Sequence, residues 1–190
     1  MINRITALAA TLLLGVAAPA MAQSSMSGSM SSMHDPMVGG APMYASKNIV
    51  QNAVNSKDHT TLVALVKKAG LVDTLEGPGP FTVIAPTNEA FAKLPKATVD
   101  KVTSDPALLK KVLTYHVLAG RVTAADIAAK IKAGDGKAEL MTLEGEPITA
   151  TMSGQDIALS GKGGGTAIVT IPNVYQSNGI IHVVNGVLIP

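Results

Sequence analysis

The stretch of the chain that decides its fold runs from Gly79 to Phe91 and reads GPFTVIAPTNEAF. Its first half is short, apolar and rich in β-forming residues, and alternate side chains from Phe81 to Ala85 fall on opposite faces. Pro86 has no backbone N–H to donate to a neighbouring strand, so we expect the strand to end there. Thr87 suits the N-cap of a helix, because its hydroxyl can accept a bond from a free backbone N–H. The stretch therefore predicts a strand, a sharp corner and a helix.

Two further segments are comparably informative. Residues 113–117 read LTYHV and come where a helical pattern ends and a short apolar run begins. Residues 178–190 read NGIIHVVNGVLIP, and their opening Asn178-Gly179 is a strong signal for a tight turn into a strand. His182 lies in a run that is apolar on both faces, so we expect this strand to be central and His182 to be structural.

These three segments, in this order, resemble the signature segments of the fasciclin (FAS1) domain family. The resemblance covers the chain from Ser46 to Pro190 and indicates a single copy of the domain. It implies an α+β fold, a wedge-shaped β-sandwich of about seven strands covered by several helices. Where the motifs match, it implies structural roles for Pro86, Thr87, Asn88, Phe91, His182 and Gly186.

The order of the predicted elements independently supports an α+β domain. In the first half, Leu62, Leu65, Val66 and Ala69 recur on one helical face. In the second half, apolar residues alternate with threonines, as in residues 148–152. Helices first and antiparallel strands later are typical of an α+β fold.

Two helix starts carry recognisable caps. Asp105 precedes Pro106, which is the pattern of a capping residue followed by a first-turn proline. Thr123 and Asp126 have the spacing of a capping box, and Gly134 is a candidate C-terminal stop. These signals predict two helices, one after each cap.

The N-terminus has the features of a secretory signal peptide over residues 1–22. Arg4 supplies a positive start, Ile5–Val16 is apolar but too short to span a membrane, and a small-residue cleavage pattern ends at Ala22. We expect the exported chain to start at Gln23 and to be soluble in the periplasm or the medium, with no integral membrane association. The sequence has no cysteine, so neither a disulfide nor a lipid anchor on cysteine is available.

The charge balance argues against nucleic acid as a partner. Removing the predicted signal peptide removes one of the 15 basic residues and none of the 13 acidic ones, which leaves a formal charge of +1. Binding to nucleic acid or to an anionic membrane through bulk charge requires a clear basic excess.

Residues 23–45 differ in composition from the rest of the chain. They are rich in Ser, Gly and Met and poor in β-branched residues, which predicts a disordered tether with ordered structure from about Ala45. Thioether and imidazole groups suit Cu(I), so the tether also contains a weak metal-binding motif. Its residues are Met26, Met30, Met33, His34 and Met37. The alternative is a low-complexity linker that contains methionine by chance.

Tyr115 and His116 are the candidate binding residues. The resemblance relates them to a tyrosine–histidine motif implicated in integrin contacts in animal members of the family. We expect His116 to hydrogen-bond the loop near Pro86 and Thr87. We expect the pair to be structural, with a buried, fully hydrogen-bonded histidine beside a packing tyrosine, and a recognition site is the alternative. His59 precedes a helix and has no evident partner, so we expect it on the surface.

The sequence carries no phosphate-binding loop, nucleophile elbow, zinc-binding helix or calcium loop. We therefore predict a non-enzymatic protein without a cofactor. The resemblance implies a secreted or periplasmic adhesion or interaction module that binds a matrix, envelope or protein partner. A protein or polysaccharide matrix component is the expected partner, and a monomer is the expected state. The alternative is a periplasmic binder of copper or of a small ligand, using the Met-rich tether or a groove of the domain.

Overall fold

A computed structural model describes residues 35–190 of the chain. Its main element is a seven-stranded sheet in the order β4-β3-β9-β8-β7-β6-β5, and a two-stranded hairpin, β1-β2, precedes it in the chain. The strands are β1 (Met37–Val38), β2 (Ala41–Pro42), β3 (Phe81–Pro86), β4 (Val117–Ala119), β5 (Lys137–Met141), β6 (Pro147–Ser153), β7 (Asp156–Ser160), β8 (Thr166–Gln176) and β9 (Gly179–Val184). The predicted α+β wedge with seven main strands is confirmed.

The helices lie largely in the first half of the domain, as predicted. They are α1 (Ile49–Ala53), α2 (Thr60–Lys68), α3 (Val72–Glu76), α4 (Asn88–Ala92), α5 (Lys96–Ser104), α6 (Pro106–Tyr115) and α7 (Ala124–Ala133), with a 3-10 turn over Lys57–His59. Both predicted caps are present. Asp105 accepts bonds from two backbone N–H groups at the start of α6, and Thr123 and Asp126 form a capping box at the start of α7.

The corner predicted after the first strand is also present. β3 ends at Pro86, and the Thr87 hydroxyl accepts a bond from the Ala90 N–H at 3.3 Å to cap α4. The Thr87 N–H donates to the Val184 carbonyl at 3.2 Å, which ties the corner to the end of β9. This local geometry follows from residues adjacent in sequence, so the sequence was sufficient to predict it.

β9 lies in the middle of the sheet between β3 and β8. It runs parallel to β3 and antiparallel to β8, and all six of its residues are buried. The central position predicted from the apolar run around His182 is therefore confirmed. β8 pairs with both β9 and β7, and register shifts near Ile171 bend it between the two. A bridge between Leu118 and Thr142 brings the two ends of the sheet together, so the sheet is nearly closed.

Strand β3 separates two apolar clusters. Val83 and Ala85 belong to one cluster, together with residues of α1, α2, α3 and α6. Ile84 belongs to the other cluster, together with residues of α7 and of β5 to β8. The predicted division of alternate β3 side chains between two faces is confirmed, and both faces are core.

The N-terminal hairpin corrects the expectation of a disordered tether that reaches residue 45. Val38 and Met43 are each 2% exposed and belong to the same apolar cluster as Ile49. The Lys57 N–H donates to the Gly39 carbonyl at 3.2 Å, which holds the hairpin turn against the 3-10 turn. The composition of residues 23–45 predicted disorder because the segment has few residues that could form an apolar core of its own. Composition contains no information on the apolar surface of the folded domain, on which a few apolar residues of the segment are buried.

The predicted signal peptide, its cleavage near Ala22 and the tether up to His34 lie outside the described residues. Over residues 35–190, no helix is both long enough and apolar enough to cross a membrane. The expectation of an exported chain therefore continues to rest on the sequence.

Candidate interaction site

Tyr115 lies at the last position of α6 and is completely buried. Its hydroxyl donates to the Pro147 carbonyl at 3.0 Å and accepts from the Lys162 N–H at 3.0 Å. These two bonds join α6 to the start of β6 and to the loop between β7 and β8. In this conformation the side chain connects three parts of the domain and is not available to a partner.

His116 is 3% exposed, and both of its ring nitrogens have partners. Nδ1–H donates to the Val112 carbonyl at 2.8 Å, and Nε2 accepts from the Leu188 N–H at 3.0 Å, which assigns the tautomer. The expected bond to the loop near Pro86 and Thr87 is wrong, because the imidazole reaches the chain after β9 instead. Burial lowers the pKa of His116 to about 4, only partly opposed by its bond to the Val112 carbonyl, so the ring is neutral at neutral pH.

The other predicted motif residues also have structural contacts. The Asn88 carboxamide accepts from the Thr61 N–H at 3.0 Å and donates to the Lys57 carbonyl at 2.7 Å, which links α4 to the start of α2. Phe91 packs on the first apolar cluster. A Cβ on Gly186 would collide with the backbone of β8 at Thr166, so no larger residue fits there without movement.

His182 is completely buried in β9. Its Nε2–H donates to the Val122 carbonyl at 2.8 Å, and its Nδ1 accepts from the Asn173 N–H at 3.3 Å. Burial lowers the pKa of His182, and the bond to Val122 opposes part of that shift. The arrangement agrees with a structural histidine.

His59 is not on the surface, so that expectation is wrong. It is 3% exposed, and its Nδ1 is 2.9 Å from the Ser56 hydroxyl. Burial lowers the pKa of His59, while the Ala85 carbonyl and the Asp58 carboxylate oppose the shift. The N-terminal hairpin contributes to this burial, since Val38 and Met43 line the same small interior space as His59. No signal near His59 in the sequence indicates that a segment some twenty residues upstream would pack there.

The predicted copper ligands cannot be assembled into a site from the described residues. Met26, Met30, Met33 and His34 lie outside them, and Met37 is 54% exposed on the hairpin. Within residues 35–190, no group of three or more His, Asp or Glu side chains is placed to hold a metal ion. Copper binding by the tether stays a prediction. It is tested by comparing the Cu(I) affinity of the exported chain with that of a variant in which all four methionines are replaced.

The outer face of strands β5 to β8 carries a row of polar side chains. Glu139 pairs with Thr149, Thr149 with Ser160, and Ser160 with Thr166. The row therefore crosses four strands at a spacing of about 4.8 Å. These residues alternate with the buried Ala150 and its neighbours, so they face away from the apolar cluster. We call these four residues, which are three hydroxyl side chains and the Glu139 carboxylate, the hydroxyl row.

The hydroxyl row is accessible to a partner. Glu139 and Thr166 are exposed, and Thr149 and Ser160 are half-buried. Hydroxyl groups can each donate and accept a hydrogen bond, so the row can match a polar partner such as a polysaccharide or a polypeptide edge. Met141, which is 58% exposed, continues the same face beside Pro147 and adds an apolar contact.

A cavity of about 50 Å³ lies between α1, α2, α3, α6 and strand β3. Its wall is apolar and includes Val50, Leu62, Leu75, Val83 and Leu113. A cavity of only about 10–15 Å³ can hold one water molecule, so this space is larger than an ordinary packing defect. Leaving it empty costs about 1 kcal/mol at the usual cost per volume. We call this space the helical cavity.

The mouth of the helical cavity is formed by partly exposed residues. Val63, Val72 and Thr114 are half-buried, Lys67 is exposed, and Leu143 is 39% exposed. His116 lines the helical cavity from within. A second, smaller cavity of about 20 Å³ shares Leu62, Leu113 and His116 with it and lies under α4, α5 and α6.

Sequence reasoning found neither the hydroxyl row nor the helical cavity. Strand alternation did place Thr149 and Thr151 together on one face. The row, however, depends on which residues pair across β5 to β8, and the pairing register is not encoded in any one strand. The cavity depends on how four helices pack, and helix periodicity does not reveal a gap between helices.

The fold is similar to that of a solved FAS1 structure. A FAS1 domain pair from the insect cell adhesion molecule Fasciclin I superposes with a TM-score of 0.55 at 21% identity. The match covers 67% of this chain and 44% of that one. A likeness at this level of identity concerns the fold alone. The family model of the Fasciclin domain matches residues 57–190, so the chain belongs to the fasciclin family.

Several curated proteins are similar in sequence. The protein sll1735 of Synechocystis sp. is 41% identical over 142 residues, covering 75% of this chain and 97% of that protein. The cell surface glycolipoprotein MPB83 of Mycobacterium bovis is 41% identical over 101 residues, covering 53% and 42%. The immunogenic protein MPB70 of the same organism is 44% identical over 80 residues, covering 40% and 41%. The chain thus matches less than half the length of each mycobacterial protein.

Proposed function

We propose that this chain is an exported, non-enzymatic interaction module that binds a matrix, envelope or protein partner, in the periplasm or outside the cell. The observation that carries the proposal is the fasciclin match over residues 57–190 together with the FAS1 fold. The names of two similar proteins, a cell adhesion molecule and a cell surface glycolipoprotein, support a role at surfaces. The signal-peptide pattern of residues 1–22 supports export.

The hydroxyl row is the surface that best suits such a partner. The Tyr115 and His116 side chains are enclosed, so their direct participation in binding stays a prediction that requires the domain to open. The hydroxyl row needs no such change, since Glu139 and Thr166 are exposed on the folded domain. Side chains on a rigid sheet also lose little conformational freedom when a partner binds, which favours affinity.

The experiment measures retention of the exported chain on purified matrix polysaccharide and on envelope fractions. Thr166→Arg places a long charged side chain on the hydroxyl row and should abolish retention. Ala129→Arg adds the same charge on the exposed side of α7 and should leave retention unchanged. Both substitutions are at exposed positions and should alter stability by less than about 0.5 kcal/mol.

The two parts of this proposal fail in different ways. If the unmodified chain is not retained on any of these materials, the interaction function is contradicted. If it is retained and both arginine variants are retained equally, the function stands and the assignment to the hydroxyl row is wrong.

The helical cavity supports a second candidate function, the binding of a small apolar ligand. Ligand sites in proteins are concave and mostly apolar, with a few polar groups at the opening. The helical cavity has an apolar wall, and the partly or fully exposed residues that line it include Lys67, Thr74 and Thr114. A ligand that fills the space should raise the melting temperature, because it binds the folded state alone.

A further inference from the structure

We infer that the helical cavity takes the apolar tail of an anionic amphiphile, such as a medium-chain carboxylic acid, with its carboxylate on the Lys67 ammonium group. The inference rests on the second candidate function and adds the chemical class of the ligand. It is independent of the hydroxyl row, which lies on the outer face of β5 to β8.

The interior of the helical cavity selects an apolar group. Val50, Val66, Leu71 and Leu75 contribute only hydrocarbon to its wall. The one imidazole in the wall, His116, has both ring nitrogens engaged by Val112 and Leu188, so it offers no free polar atom. A charged or strongly polar group placed inside would lose its hydration without gaining a partner.

The one cationic side chain that lines the helical cavity in the described part of the chain favours an anionic headgroup on the ligand. Among the described residues that line this cavity, Lys67 is the only charged one. No carboxylate of the described residues lies within ion-pair distance of the Lys67 ammonium group. The ion pairs among the described residues involve Lys111 and Lys162. The next residue, Lys68, is already engaged, because its ammonium donates to the Thr103 carbonyl at 2.6 Å. Lys67 is therefore the cation that remains available at this opening.

The dimensions of the site determine how the ligand must lie. About 50 Å³ accommodates a few carbon atoms beyond the mouth without any movement of the wall. The smaller cavity beneath α5 and α6 shares Leu62 and Leu113 with the first. These two side chains are buried, so a medium-chain tail that extends from one cavity into the other requires them to move. A bulky polycyclic ligand would require the helices to separate.

The test is a calorimetric titration of the exported chain with decanoate and, separately, with decanol, which has the same tail and no charge. Lys67→Met keeps the hydrocarbon stem and removes the charge. It should weaken decanoate binding by up to about fivefold, the upper end of the usual effect of one exposed ion pair. The same substitution should leave decanol binding unchanged.

Two further variants serve as controls. Lys68→Met removes a neighbouring charge that does not line the helical cavity, and it should not change decanoate binding. Val63→Phe enlarges a half-buried side chain at the mouth and should weaken both ligands at least tenfold. Lys67→Met alters an exposed side chain and keeps the comparison informative even if Val63→Phe proves unstable.

The outcomes separate the inference from the function on which it rests. The inference is overturned if decanoate binds no more tightly than decanol, or if Lys67→Met does not change the affinity for decanoate. Either result leaves an apolar-ligand function in place. If neither ligand binds the unmodified chain, both are wrong. The salt dependence of binding is a second, independent measurement. Screening by added salt should weaken decanoate binding to the unmodified chain and not to the Lys67→Met variant.

Discussion

At the residue scale, the buried histidines make the stability of the domain depend on pH. His59, His116 and His182 are each at most 3% exposed, and burial lowers the pKa of each imidazole. The unfolded chain then binds protons at a higher pH than the folded chain does. Their contribution to stability is fully present above the unfolded pKa of about 6.5 and is lost progressively as the pH falls below it.

We expect acidification from about pH 7 to about pH 4 to lower the free energy of unfolding by about 3 kcal/mol through His116 alone. The folded pKa of about 4 sets the lower end of this range. Urea unfolding at several pH values measures the slope. His116→Gln should reduce the slope, whatever its effect on stability at neutral pH. A slope identical in the two proteins would mean that His116 titrates normally in the folded state.

Tyr115 permits a second prediction at this scale. Tyr115→Phe keeps the buried ring but leaves the Pro147 carbonyl and the Lys162 N–H without their shared partner. We expect a loss of about 1–2 kcal/mol in denaturant unfolding. Tyr175→Phe, at a position that is 42% exposed, is the matched control and should cost much less. Equal losses in both variants would contradict the bridging role of the Tyr115 hydroxyl.

At the element scale, the N-terminal hairpin is an integral part of the core. Val38 and Met43 are buried on the domain, whereas Met37 points outward. A truncated chain that starts at Ala45 would lose these contacts and expose the apolar surface beneath them. Binding experiments that compare the domain with and without the tether should therefore keep the hairpin.

The two methionines of this segment provide a matched test. Met43→Ala should lower the free energy of unfolding by about 2–5 kcal/mol, because it removes a buried side chain and leaves a cavity. Met37→Ala should change it by less than about 0.5 kcal/mol, because that side chain is 54% exposed. Thermal or urea unfolding of the two variants checks the difference. Similar small effects of both substitutions would show that the hairpin does not dock in solution.

At the scale of the whole molecule, the central strand should be the last part to open. β9 is buried along its entire length and bonds to β3 on one side and β8 on the other. β5 lies at the end of the sheet and pairs fully only with β6. Amide hydrogen exchange should thus be slowest in β9, at the rate of global unfolding, and faster in the unpaired positions of β5. Exchange in β9 as fast as in β5 would contradict the central position of β9.

Local features of this protein were predictable from its sequence. Thr87, Asp105 and Thr123 cap helices through bonds that reach two or three residues along the chain. The corner after Pro86 and the alternation of β3 depend on equally short-range geometry. The fasciclin fold itself was predicted from the resemblance of the three segments to the signature of that family, and the local constraints alone predicted only a strand, a corner and a helix.

The remaining features were decided by tertiary structure, since they depend on residues far apart in the sequence. The burial of His59 and the order of the hairpin arise from contacts between segments that have no common local pattern. His116 bonds to Leu188, which follows β9, and not to the loop after β3. The hydroxyl row exists because four strands pair in one register, and the helical cavity exists because the packed helices leave space between them. The sequence by itself determined the caps, the corner and the strand alternation through short-range constraints, and its family resemblance indicated the fold, while the tertiary structure determined which surfaces a partner or a ligand can reach.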